Sequence, residues 1–85
     1  MTTENIIKSI EDNRQELISK YFAISEATHR LYLMAMGCEN RNEADSLWCE
    51  RAELTYKKSE LFTAINDLGN ALGHLGHSVE TFWGK

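Results

Sequence analysis

Residues 44–75, ADSLWCERAELTYKKSELFTAINDLGNALGHL, decide the fold. Within them Ala44, Leu47, Arg51, Leu54, Lys58, Leu61, Ile65, Leu68, Leu72 and Leu75 alternate between spacings of three and four residues. An α-helix turns by about 100° per residue, so this spacing draws one unbroken line along one side of a helix. The predicted helix runs from about 43 to 75, with the Glu53–Lys57 pair supporting it. Gly69, Gly73 and Gly76 each weaken a helix by about 1 kcal/mol relative to alanine, yet the leucines keep register through them.

The first part of the chain repeats the pattern. Ile7, Ile10, Arg14, Leu17, Tyr21, Ile24, Thr28, Leu31 and Ala35 form a second line, predicting a helix over about 3–36. Thr2 or Thr3 can cap it, and Glu4–Lys8, Glu16–Lys20 and Glu26–Arg30 are spaced as favourable i,i+4 pairs. Gly37 is a natural stop, because glycine readily takes the left-handed conformation that ends helices. A turn over 37–42 follows, with Asn42 expected to cap the second helix. The tail, 77–85, is expected to add a short turn of helix.

Two long helices joined by a short turn make an antiparallel hairpin. Folding the chain near residue 41 sets Ala35 opposite Leu47, Thr28 opposite Leu54, Tyr21 opposite Leu61, Leu17 opposite Ile65 and Ile10 opposite Leu72. The two lines match along their whole length. Apolar residues also lie off the seam: Ile18, Phe22, Tyr32, Leu33, Met34 and Met36 on the first helix, and Trp48, Ala52, Tyr56 and Phe62 on the second. A single domain of 85 residues buries only about 60–65% of its unfolded surface, so a lone hairpin is marginal. The fold class is therefore all-α: a long antiparallel helical hairpin, expected to dimerise into a four-helix bundle.

Composition narrows the function. The net charge of −4 argues against nonspecific binding to phosphate backbones. No apolar run reaches the ~20 residues of a membrane span, and the polar start is unlike a signal peptide, which makes the cytoplasm the expected location. Cys38 and Cys49 then read as reduced, small buried thiols flanking the turn. His74 and His77 stand at i,i+3, but both cysteines lie at the other end of the hairpin, so no metal site is expected. Arg14, Arg51 and Lys58 occupy seam positions, where they are expected to snorkel or to pair with Glu11, Glu50 or Glu60 and fix register.

No cofactor and no catalytic residue is expected. The expected function is noncatalytic: a small adaptor, regulator or inhibitor that binds another protein, of the kind found among phage and plasmid accessory proteins acting on a host enzyme or complex. The alternative is a dimeric helical bundle that regulates RNA; a small helical enzyme ranks third. Expected partners are a second copy and a different protein, rather than nucleic acid or membrane. The residues expected to bind protein are Phe22, Leu33, Met36, Trp48, Tyr56, Val79, Phe82 and Trp83. Val79, Phe82 and Trp83 would form one apolar cluster if helical, serving as a docking element, folding back on Ile6 and Ile7, or capping a second protomer.

Overall fold

The computed structural model describes residues 2–83; Met1, Gly84 and Lys85, the last two being the end of the predicted tail, lie outside the described residues. Two helices follow one another, α1 (Thr3–Met36) and α2 (Arg41–His74), and pack along their length as an antiparallel hairpin 57 × 20 × 14 Å in extent. There is no strand among the described residues.

Local chemistry accounts for the helix ends. The Thr2 hydroxyl accepts a hydrogen bond from the Asn5 amide at 3.2 Å, satisfying one of the free donors at the start of α1. At the turn the capping residue is Asn40, two positions before the expected Asn42. Its backbone is extended (φ −82, ψ 115) and its side chain accepts from the Glu43 amide at 3.1 Å. Capping from Asn40 draws Arg41 and Asn42 into the first turn of α2 and leaves a shorter loop. Gly37 does not use the left-handed conformation, since its φ is −91; α1 ends instead with the Gly37 amide donating to Leu33 and the Cys38 amide to Ala35. Among the described residues Gly76 is the glycine with positive φ, +82, and there the chain turns back after α2. Of the spaced charge pairs, Lys20–Glu16 closes at 3.5 Å and Arg30–Glu26 at 2.6 Å. Both are exposed and worth little.

The core is the seam. Tyr21, Thr28, Ala35, Ile65 and Leu72 are buried, and the other seam positions from Ile7 to Leu31 and from Ala44 to Leu68 are partly buried. Only Leu75, beyond the end of α2, is exposed. Ile65 and Leu72, each 0% exposed, mark the tightest part of the hairpin. Thr28 is tolerated there because its hydroxyl donates to the Ser25 carbonyl at 2.8 Å. Cys38 is partly buried and its thiol reaches the Asn40 carbonyl at 3.3 Å, whereas Cys49 is exposed rather than buried.

Gly73 lies inside α2, and nothing stands within 4 Å of where its Cβ would be. Gly73→Ala is therefore expected to stabilise the protein by up to about 1 kcal/mol, the helix-propensity difference, and to raise the melting temperature by several degrees. A lowered melting temperature would mean that the space beside Gly73 is filled by a partner.

Candidate interaction surface

The hairpin has two open faces, and they differ. After Gly76 the chain does not continue as a helix. It runs back along one face as an extended strap, residues 77–83. The His77 amide donates to the Leu72 carbonyl at 2.9 Å, and the His77 imidazole lies 2.8 Å from the Glu11 carboxylate. Val79 packs beside Gly69, where an added Cβ would come within 3.5 Å of it. Arg14 joins all three segments: its Nε donates to the Ile65 carbonyl of α2 at 3.3 Å, and its Nη2 to the Glu80 carbonyl of the strap at 3.0 Å. Phe82 then enters an aromatic cluster, edge-on to Tyr21 at 5.0 Å and to Phe22 at 5.8 Å, with Phe62 at 6.0 Å. Edge-to-face packing of this kind adds to the burial of the rings. Trp83, 82% exposed, ends the described chain.

The strap covers only part of its face. Toward the turn, Ser25, Thr28, His29, Tyr32, Arg51 and Lys58 line an open depression of about 380 Å³. His29 stacks on Tyr32 at 6.4 Å, and Tyr32 meets Trp48 edge-on at 5.8 Å. The Arg51 guanidinium sits 5.6 Å from the Tyr32 ring centre and 5.9 Å from that of Trp48, and the Lys58 ammonium lies 5.1 Å from the Tyr21 ring centre. Aromatic faces are favourable but incomplete partners for a cation. The Nε of Arg51 is buried with no hydrogen-bond partner among the described residues.

The opposite, bare face is apolar. Ala23, Ile24, Leu61 and Ala64 floor an open groove of about 550 Å³ near the mid-length of both helices, edged by Lys20, Lys57 and Glu60. Seven-residue spacing carries its floor on to Leu17 and Leu31 of α1 and to Leu54 and Leu68 of α2, all partly exposed.

The predicted binding residues do not form one site. Phe22 and Phe82 meet in the aromatic cluster, and Val79, within the strap, packs beside Gly69. Trp48 belongs to the Tyr32–Arg51 group, while Leu33 and Met36 are exposed near the turn. Tyr56, 69% exposed, lines a shallow groove made wholly of α2 residues with Ala52, Glu53, Lys57 and Glu60. The strap also departs from expectation: it is not helical, and it seats on residues near Arg14 and Tyr21 rather than on Ile6 and Ile7. The three seam cations are placed as expected, but none reaches a carboxylate among the described residues; Glu11 is taken by His77. Tyr32, His29 and Thr28 were missed as members of the cationic depression. Their only signal is position, since 25, 28, 29 and 32 share one side of α1.

Among the described residues no three metal-ligating side chains converge, and no helix is long and apolar enough to cross a membrane. These features define an all-α helical hairpin with one strapped and one bare face. No protein-family model, curated protein or solved structure matches the chain.

Proposed function

We propose that the protein is a noncatalytic binding protein, an adaptor, regulator or inhibitor of another protein, and that it works as a homodimer. In the dimer two hairpins pack their bare faces together as a four-helix bundle and turn their strapped faces outward. The observation that carries this reading is the unfinished burial of the bare face. The radius of gyration is 17.1 Å, against about 12 Å for a compact domain of this length. The exposed area, 6360 Å², exceeds by roughly 1,200 Å² that of a compact monomer of the same mass. A face 57 Å by 20 Å offers roughly 1,100 Å² in projection, enough for the ~800 Å² per partner of a stable interface.

The position of the groove supports a two-fold arrangement. Near mid-length it can meet its own copy, and its rim of Lys20, Lys57 and Glu60 supplies both signs of charge for a self-complementary contact. Sedimentation equilibrium at micromolar concentration is expected to give a dimer, and Ala64→Glu, which puts a charge on the groove floor, is expected to give a monomer. A wild-type protein that stays monomeric at tens of micromolar would remove the bundle from the reading.

A further inference from the structure

The geometry points to the cationic depression beside the strap as a docking site for an acidic segment of a partner protein, carrying carboxylates among apolar residues in extended conformation. This rests on the reading that the strapped face is the outward, partner-binding face. Three observations carry it. The first is the strap itself, because the same face already holds an extended segment: Arg14 takes its Glu80 carbonyl and the Tyr21–Phe22–Phe62 cluster takes its Phe82 side chain.

The second is the repetition of that arrangement in the vacant half. Arg14 lies 11 residues after the start of α1 and Arg51 lies 10 after the start of α2, so in an antiparallel hairpin the two arginines stand toward opposite ends of the face, Arg14 under the strap and Arg51 in the vacant half. In the strapped half Arg14 donates to two main-chain carbonyls and Phe82 meets a ring cluster, whereas in the vacant half the Arg51 guanidinium lies against Tyr32 and Trp48 and its Nε has no acceptor among the described residues. The third is charge. The chain has 13 acidic and 9 basic residues, yet Ser25, Thr28, His29, Tyr32, Arg51 and Lys58 include no acid. Arg51 and Lys58 point to rings on opposite sides, Tyr32 and Tyr21, so they suit two separated carboxylates better than one compact anion. Charge-assisted hydrogen bonds are the stronger class, and the Arg51 and Lys58 head groups are the donors a partner carboxylate would meet.

The test uses the full chain with Trp83→Phe, which leaves Trp48 as its only tryptophan. Trp48 emission is followed while a synthetic peptide of glutamates interspersed with leucine and phenylalanine is added. Its glutamine counterpart, inorganic phosphate and a mixed-sequence oligonucleotide are titrated in parallel. The acidic peptide is expected to bind and to weaken as salt is raised. The glutamine peptide should bind about tenfold more weakly or worse, and Arg51→Gln and Lys58→Gln should each weaken the acidic peptide severalfold at unchanged helicity. Lys58→Gln and the salt dependence decide the matter if Arg51→Gln fails to fold. Equal binding of the glutamine peptide, no binding of the acidic one, or tighter binding of phosphate or oligonucleotide would each overturn the inference. Sedimentation of the same samples keeps the two readings apart: a dimer that ignores the acidic peptide loses only this inference, and a monomer that binds it loses only the bundle.

Discussion

Ile65→Ala is expected to destabilise the hairpin by about 2–5 kcal/mol, the range for large-to-small changes in a closed core. Ile65 has no exposed surface, sits on the seam of α2, and its carbonyl accepts from Arg14. Removing its side chain leaves a space that two straight helices cannot close without shifting the Arg14 contact to the strap. Denaturant unfolding followed by circular dichroism measures the loss. Glu26→Ala serves as the comparison: its partner Arg30 is exposed, so the change should stay within about 0.5 kcal/mol. Similar losses from both substitutions would mean that the seam is not where stability resides. Leu61→Ala should fall between them in a monomer and approach Ile65→Ala in a bundle, because Leu61 is half-exposed on the bare face.

Ending the chain at Gly76 is the second large change. It removes Val79 from Gly69, Phe82 from three aromatic rings, the His77–Glu11 contact and one of the two Arg14 hydrogen bonds. Partial burial of two apolar side chains and one hydrogen bond together amount to roughly 2–4 kcal/mol. The shortened protein should stay helical at low temperature, melt well below the full chain and bind more of a dye that reports exposed apolar surface. The proposed dimer should survive the truncation, because the strap and the bare face lie on opposite sides of the seam. Phe82→Ala alone should give about half of the effect. An unchanged melting temperature would show that the strap is not seated in solution.

Much of this architecture is legible in the sequence, because one physical rule, apolar spacing on a helix, decides it. Every seam residue within the two helices is at least partly buried, and the register pairs Tyr21 with the region of Lys58 and Phe62. The strap was not legible for two reasons. Val79, Phe82 and Trp83 have helical spacing, but a segment this short cannot offset the cost of starting a new helix after Gly76. Its aromatic partners Tyr21, Phe22 and Phe62 are distant in sequence, where no periodicity can point to them. The expected carboxylate partners of the seam cations are absent among the described residues for a different reason. Glu50 is adjacent to Arg51 and Glu60 is two residues from Lys58, and side chains one or two apart on a helix do not face each other. Arg51 and Lys58 are left to Tyr32, Trp48 and Tyr21, a pairing that emerges only once the helices lie side by side.

The reversal at Gly76 also decides where cargo can be attached. Because the chain doubles back, Trp83 follows Phe82, whose ring meets Phe22, and so stands partway along the molecule and not beyond the tip where α2 ends. An affinity handle or fluorescent fusion joined at the Trp83 end would stand close to the vacant half of the strapped face. One joined ahead of Thr2, which caps α1 at the far end of the hairpin from the Asn40 turn, would leave both faces clear. Capture assays on this protein therefore depend on which end carries the handle, and a negative result from a C-terminal fusion would say nothing about binding.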